Sequence, residues 1–393
     1  MNICHVVYSH YPFDPRVRKE VGALAALGYD IDVIAVQDQG EQREEGLGRL
    51  HVYRLPIAII RGEKLRYAYQ YGLFFLCSAA LLFRLFLVRR YAVIHVHSLP
   101  DFQVFCTFLE RLLGARVILD LHEAMPEIVQ ARFHLSSHHP LVALSRAAER
   151  LSAQYADRIV VPTDQRQRLL TRRGVESTKI AVVMNSPDDA SIAGPPSDEL
   201  RSQLGLDGKR VVVHAGGVNP ERDLEVLIRA AGQLSAQYPM SLLLYGKGDP
   251  GYIDRLQTVA AEYSRLDFRF GGWVPQSLAF QLVLLSEVGV VTYERNPLTE
   301  LAAPHKILEY AAAGKPLVLA DLNGLREVWD SAALFYRPGD AVDLASRIEQ
   351  LFGDVGLRTR LSGKARSLAE RFDWRHSRKA LQETYEALTI GVG

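Results

Sequence analysis

Pro304-His305-Lys306-Ile307-Leu308-Glu309-Tyr310-Ala311-Ala312-Ala313-Gly314-Lys315-Pro316 runs into Leu317-Val318-Leu319-Ala320, and it reads as a loop, a short helix opened by Pro304, a glycine stop and a buried strand. Lys306 and Glu309 stand three residues apart, which puts them on one face of the first turn. That turn also carries unpaired backbone N–H groups and the positive end of the helix dipole, a combination that favours phosphate. There Lys306 adds a mobile cation, and Glu309 adds an acceptor pair suited to two adjacent hydroxyls such as those of a ribose. The competing reading is an i,i+3 ion pair on a capped amphipathic helix. The surroundings decide between them.

Outward from this helix, strand after strand in the second half ends on glycine. Residues 211–215 run into Gly216-Gly217-Val218-Asn219-Pro220-Glu221-Arg222, 241–245 into Gly246-Lys247-Gly248, and 267–270 into Gly271-Gly272-Trp273-Val274-Pro275. Glycine lets backbone close on an anion, and Arg222 can fork onto phosphate oxygens. Read blandly, the first of these is a βα turn with a solvated arginine. No GxGxxG occurs here or elsewhere, which argues against a two-domain dehydrogenase. Helices at 223–234, 252–263, 342–352, 355–371 and 377–388 and strands at 288–292 and 317–319 complete this half.

The first half keeps the same rhythm. Strands at 2–9, 31–36, 93–96, 116–121 and 158–162 alternate with helical stretches at 18–27, 71–88, 102–113 and 143–155, while 37–50 reads as a Gly/Glu/Arg-rich loop. Such alternation predicts an α/β chain with parallel sheets covered on both faces. At 393 residues the chain is too long for one ordinary core, and a shift to Pro, Asp, Ser and Gly over 185–208 marks the linker between two domains. Two doubly wound domains would bring the carboxyl ends of both sheets to one cleft, where ligands bind.

Bulk composition excludes several classes. Hydrophobic residues make up 48% and charged residues 23%, a globular balance, and 46 Lys+Arg against 45 Asp+Glu leave a net charge of +1. No overall field draws nucleic acid, so any anion site is local. Cys4, Cys77 and Cys106 form no spaced framework, which suits a reducing compartment and argues against zinc. The N-terminus shows no signal-peptide pattern, so a cytoplasmic protein is expected. Residues 71–88 are almost wholly apolar but contain Arg84 and are followed by Arg89-Arg90. A spanning role is disfavoured, because an arginine at the bilayer centre costs about 2.5–3.5 kcal/mol. The favoured reading is a helix buried against the sheet; the other is a helix in the cytoplasmic membrane interface with snorkelling arginines. Asp30-Ile31-Asp32 has the spacing of a metal-binding DxD but lies at a strand start without nearby oxygen ligands, and His134, His138 and His139 lie in a polar loop. No metal and no cofactor are expected.

The ordered set Gly216-Gly217 to Arg222, Tyr245-Gly246-Lys247-Gly248, Gly271-Gly272-Trp273-Val274-Pro275 and the 304–316 stretch, with Asn323-Gly324-Leu325 and Pro338-Gly339-Asp340 beyond it, resembles the large fourth family of retaining glycosyltransferases. Within it, the closest likeness is to the bacterial branch that builds surface and capsular polysaccharides. The first half agrees in Tyr11-Pro12-Phe13-Asp14-Pro15-Arg16-Val17-Arg18-Lys19-Glu20, His95-Val96-His97-Ser98, Asp120-Leu121-His122-Glu123 and Asn185-Ser186-Pro187-Asp188.

The resemblance implies the GT-B architecture, two Rossmann-like domains facing a central cleft. The acceptor domain would be 1–190, joined by the crossing-back helix 373–393 after Phe372-Asp373-Trp374, and the nucleotide-sugar domain 191–372. It implies that Arg222 contacts the donor diphosphate, with backbone at Gly216, Gly217 and Gly246 nearby, and that Glu309 holds the ribose. A second cation usually precedes Arg222 by five residues; Gly217 stands there, and Lys306 is the natural replacement. The usual glutamate eight residues before Glu309 is Leu301, so Glu300 is the candidate substitute on a bulged loop. His122 matches a histidine near the donor sugar, while the residue-level alternative is an imidazole satisfied by Asp120 or Glu123. Asp14, Arg16, His97 and Glu123 are assigned to the acceptor side, with an internal Asp14–Arg16 pair as the alternative. His122, Arg222 and Lys306 carry the chemistry, and the partners are a nucleotide-sugar, most readily a UDP-sugar, and a sugar or lipid-linked sugar acceptor. Rival classes are a GT-B nucleotide-sugar epimerase and a noncatalytic GT-B scaffold.

Overall fold

The computed structural model describes residues 1–59, 64–186 and 196–389. It divides into two compact units, Met1–Asn185 with Arg375–Gly393, and Ser186–Trp374. Pro187 and Asp188 of the sequence motif at 185–188, and part of the expected linker, lie outside the described residues.

The first unit is one sheet of eight strands: β1 (Asn2–His10), β2 (Asp30–Val36), β3 (Glu44–Leu47), β4 (Leu50–Leu55), β5 (Val93–His97), β6 (Arg116–Asp120), β7 (Arg158–Val161) and β8 (Ile180–Val182). Their spatial order is β3-β4-β2-β1-β5-β6-β7-β8, and all neighbours pair in parallel except β3 with β4. β3 lies inside the stretch read as loop, and β4 begins at its last residue. The signal was weak because β3 is an edge strand carrying exposed Glu44 and no apolar alternation, a composition that also discourages edge-to-edge pairing. The expected helix at 102–113 is a 3-10 segment, Asp101–Thr107, leading into Phe108–Leu112.

The second unit contains β9 (Arg210–Ala215), β10 (Met240–Tyr245), β11 (Leu266–Phe270), β12 (Gly289–Val291), β13 (Leu317–Ala320) and β14 (Ala333–Tyr336). The strands form two parallel triplets, β11-β10-β9 and β12-β13-β14, joined by a parallel bridge from Val212 to Val288. Read across that bridge, the order is third-second-first-fourth-fifth-sixth, the doubly wound arrangement with its reversal between β9 and β12. Its strands are continuous apolar runs such as Val211-Val212-Val213 and Leu242-Leu243-Leu244, all at 0% exposure, as sheets covered on both faces require. In both units the α/β reading holds.

The apolar stretch at 71–88 belongs to the helix Lys64–Arg89. Among the described residues, Tyr69–Arg89 is the one segment long and apolar enough to cross a membrane, yet only 22% of that window is buried. The buried positions Gln70, Phe74, Ser78, Leu82 and Phe86 recur every fourth residue and form a single ridge. Tyr69, Leu76, Leu87 and Val88 are exposed, as are Arg84 and Arg90. The expectation of a helix buried against the sheet is therefore corrected: the sheet covers one stripe, and the opposite face is apolar and open. Arg89 pins the helix end through a two-pronged pair with Asp32 at 2.7 and 2.9 Å, and Tyr91 Oη donates to the same carboxylate at 2.5 Å. Asp30 pairs with Arg49 instead, so the two carboxylates of the DxD spacing serve different partners.

Candidate functional site

The reversal between β9 and β12 leaves a crevice at the strands' carboxyl ends, and the glycine turns sit there. Gly216 N donates to Tyr245 O at 2.7 Å and Gly246 N to Gly272 O at 2.7 Å, so the ladder continues past the strands into the turns. A Cβ on Gly246, whose φ is +153°, would lie 1.7 Å from the Gly216 carbonyl oxygen. A Cβ on Gly216 would lie 1.8 Å from Lys306 Nζ. The ammonium therefore rests directly against the turn where an anion would be cradled by backbone.

Lys306 arrives there because its helix, His305–Ala312, is docked on β9: Tyr310 Oη donates to Val213 O at 2.5 Å. Burial lowers the Lys306 ammonium to about 8; Glu309 opposes that shift and Arg222 adds to it. Arg222 leaves the turn Pro220–Arg222, stacks with its guanidinium carbon 4.7 Å from the Tyr293 ring centre, and donates to Tyr293 Oη. Thr292 Oγ1 donates to Arg222 O at 2.6 Å, tying the turn to the end of β12. His214 is buried at the end of β9 with Nε2 3.2 Å from Gly217 O; a carbonyl only accepts, so that nitrogen carries the proton. Burial and then Lys306 hold this imidazole well below its ordinary range, hence neutral. Two cations beside a backbone glycine turn form an anion receptor, and the neutral His214 holds that turn through Gly217 O.

Gly216, Gly217, Gly246, Arg222 and Lys306 are thus gathered at one place, and Glu309 acts on Lys306 from the same helix face. Glu300 is engaged differently. Its carboxylate accepts from Arg295 at 2.5 Å and from the Asn323 backbone N–H at 2.8 Å, so it holds its loop against the start of the helix Asn323–Trp329. Sequence reasoning assigned no role to His214, Tyr293 or Tyr310, although a polar residue inside an apolar strand such as Val-Val-Val-His was a readable signal. Gly246→Ala is expected to push the Gly216 turn outward and to lower nucleotide affinity at least 10-fold while leaving the circular dichroism spectrum native; calorimetric titration measures it.

In the first unit, His122 stands at the end of β6 with 17% of its side chain exposed. Its Nε2 lies 3.1 Å from Asp120 Oδ2 and 3.0 Å from His97 Nδ1, so the imidazole is satisfied by Asp120 rather than by Glu123. Three of the four residues expected on the acceptor side are committed elsewhere. Asp14 caps the helix Pro15–Ala26, accepting from the N–H groups of Arg16 and Val17. Arg16 is buried, forks onto both oxygens of Asp120 at 2.8 and 2.9 Å, and donates to Val183 O and Asn185 Oδ1. The alternative, an internal Asp14–Arg16 pair, is corrected: Asp14 takes the Arg16 backbone N–H, and the guanidinium pairs with Asp120, 104 residues away, which spacing alone could not reveal. His97 is fully buried, with Nε2 2.9 Å from His5 Nδ1. Only Glu123 is exposed. Burial pushes the Asp120 carboxyl up, but Arg16 and then His122 outweigh it and hold it well below the carboxylate range.

Comparison with known proteins agrees with this geometry. Residues 14–186 match the glycosyl transferase 4-like domain, and residues 209–354 match the glycosyl transferases group 1 domain. The chain is 22% identical over 376 residues to alpha-D-kanosaminyltransferase of Streptomyces kanamyceticus, covering 90% of this chain and 93% of that protein. It is 26% identical over 264 residues to D-inositol 3-phosphate glycosyltransferase of Rhodococcus opacus, where the match covers 64% of this chain and 58% of the relative's length. Among solved structures, sucrose-phosphate synthase from Thermosynechococcus elongatus superposes with a TM-score of 0.81 at 19% identity, over 99% of both chains. Anabaena HepE in complex with UDP and glucose does so with a TM-score of 0.72 at 19% identity, over 98% of this chain and 100% of that one.

Proposed function

Because this chain belongs to the glycosyltransferases that join a 4-like domain to a group 1 domain in the GT-B fold, we propose that it moves a sugar from a nucleotide-sugar, a UDP-sugar first, to an acceptor hydroxyl with retention of configuration. The observation that carries this reading is the Lys306 ammonium resting on the Gly216 turn beside Arg222. As the sugar–diphosphate bond breaks, negative charge grows on the leaving diphosphate. Fixed donors at that spot, namely the backbone of Gly216 and Gly217, Arg222 and Lys306, stabilise the charge as it forms. Glu309 takes the ribose hydroxyls. His122, oriented by Asp120, serves the sugar end through the edge left exposed. The leaving diphosphate accepts the acceptor's proton on the same face, and Arg222 and Lys306 supply the positive charge that a metal ion would otherwise bring to it. A UDP donor is further supported by the UDP-bound HepE structure.

For the acceptor, we read the open apolar face of Lys64–Arg89 as contact with the cytoplasmic membrane surface, bringing a lipid-linked sugar to the protein. The exposed Phe108, Leu109 and Leu112 of the contacting helix extend that face, and Arg84 and Arg90 suit anionic headgroups. Leu76→Glu is expected to lower cosedimentation with anionic vesicles several-fold while leaving UDP affinity unchanged.

The central reading is tested by calorimetric titration with UDP, GDP and ADP, with and without EDTA, followed by assay of nucleotide release from the matching sugar donors. Micromolar, EDTA-insensitive binding of one nucleotide is expected. Absence of binding by all three would favour a noncatalytic scaffold, and epimerised nucleotide-sugar without release of free nucleotide would favour an epimerase.

A further inference from the structure

Behind His122 the first unit buries more ionisable groups than its packing explains. His5 on β1 and His95 on β5 are register partners, and His97 follows two residues on, so all three imidazoles share one face of the sheet. Glu20, from the helix Pro15–Ala26, lies among them at 0% exposure, as do His95, His97 and Asp120. One ligand atom from each of Glu20, His95, His97 and Asp120 lies within 4.8 Å of the other three. His95 Nε2 is 4.0 Å from Glu20 Oε2, and His97 Nδ1 is 3.3 Å from Asp120 Oδ2. Tetrahedral bonds of about 2.0–2.1 Å place neighbouring ligand atoms about 3.3 Å apart, so one edge is already at that length and the other closes with a small rotation.

Two further observations point to an occupant. Both Glu20 oxygens and His95 Nε2 are fully buried, and among the described residues none has a hydrogen-bond partner. Arg16 approaches Glu20 at 3.2 Å as an ion pair, but its single positive charge is shared with Asp120. Two carboxylates against one guanidinium leave the pocket negative unless Glu20 holds a proton or a cation fills the gap. The outer atoms of the candidate ligands are held as well. His95 Nδ1 lies 2.8 Å from Tyr385 Oη and His97 Nε2 lies 2.9 Å from His5 Nδ1, while Arg16 holds both oxygens of Asp120, so the inner oxygen Oδ2 would serve Arg16 Nε at 2.8 Å and the ion together. Such outer partners fix ring orientation and aim the inner nitrogen, as around metal-bound histidines.

We propose that Glu20, His95, His97 and Asp120 form a closed four-coordinate site for a divalent cation of intermediate softness, Zn2+ in the first place. Two imidazoles and two carboxylates suit that ion, and four protein ligands with no solvent-facing position make the site structural. The ion ties a helix and two strands together one hydrogen bond from His122. This reading does not use the diphosphate site; it shares with the transferase reading only Asp120, which also orients His122.

The test uses the full chain, stripped with dipicolinate and titrated with Co2+, whose tetrahedral d–d absorption reports coordination without an activity assay. One equivalent is expected to bind with intense visible absorption, and Zn2+ to displace it and raise the unfolding temperature. Glu20→Gln, nearly isosteric, and His95→Gln are expected to lose the absorption. A double substitution of the exposed loop histidines, His138→Ala with His139→Ala, is expected to keep it. Stripped wild-type protein with a native circular dichroism spectrum and no cobalt absorption overturns the proposal and assigns the compensation to a proton on Glu20. So does absorption that survives Glu20→Gln and His95→Gln but disappears with the loop histidines.

Discussion

Lys306→Ala is expected to weaken UDP binding by roughly 30- to 100-fold, about 2–3 kcal/mol, the loss typical when a charged hydrogen-bond donor is removed from an anion. The effect has a pH signature. Only the protonated ammonium attracts a diphosphate, and burial holds this one at about 8, within reach of ordinary buffers. Wild-type affinity should therefore fall as pH rises through about 8, while the alanine variant stays flat across the same range. Glu309→Ala separates the roles. If Glu309 holds the ribose, its loss weakens UDP but leaves pyrophosphate binding unchanged at pH 6.5, where Lys306 is protonated with or without it, whereas Lys306→Ala weakens both. Isothermal titration with the two ligands at pH 6.5 and 9 reads all four values. Equal losses of pyrophosphate affinity in both variants would remove Glu309 from the ribose.

Arg16→Ala is the second large expectation, and it concerns stability. The guanidinium is buried between Asp120 and Glu20 and also satisfies a carbonyl and an amide oxygen. Its deletion leaves Asp120, an ionised carboxylate, buried with only imidazole partners. Breaking a buried pair in this way costs about 3–5 kcal/mol, a large share of the roughly 5–15 kcal/mol that holds a domain folded. The midpoint of urea unfolding followed by circular dichroism should drop accordingly. Arg16→Lys is expected to recover little, because an ammonium cannot fork onto both Asp120 oxygens while reaching Val183 and Asn185. A shift below about 1 kcal/mol in Arg16→Ala would show that the network is not a stability element.

The two units differ in how plainly the sequence speaks. In the second, β9, β10 and β11 run into glycine turns, and Gly246 answers a local demand: it has no room for a Cβ because the Gly216 carbonyl is there. Local demands leave local marks, and the order of those marks carried the family resemblance that grouped Gly216, Arg222, Lys306 and Glu309. In the first, function and support are built from partners far apart in sequence. Arg16 meets Asp120, His5 meets His97 across 92 residues, and Tyr385 meets His95 across 290. No periodicity records such pairings, which is why Arg16 and His97 were assigned to the acceptor side although both are buried. The hairpin of β3 and β4 was missed for a different reason: an exposed charged edge strand has the composition of a loop. Glu300 illustrates a third case: motif spacing offered it as a donor-side glutamate, but the Asn323 N–H that it satisfies belongs to a later helix, which spacing does not record.

The last helix, Trp374–Thr389, completes the first unit: Tyr385 supplies the hydroxyl against His95, and Ser377 Oγ accepts from Met184 N–H. A ribosome makes these residues only after the whole of the second unit. The second unit is an unbroken segment, Ser186–Trp374, and can finish folding while still tethered. The first unit has its sheet early but must wait through the synthesis of an entire domain for the helix that covers the end of its imidazole row. During that delay Glu20, His95 and His97 stay open to water and ions, so the order of manufacture gives the buried cluster a period of freer and faster access than the finished molecule offers.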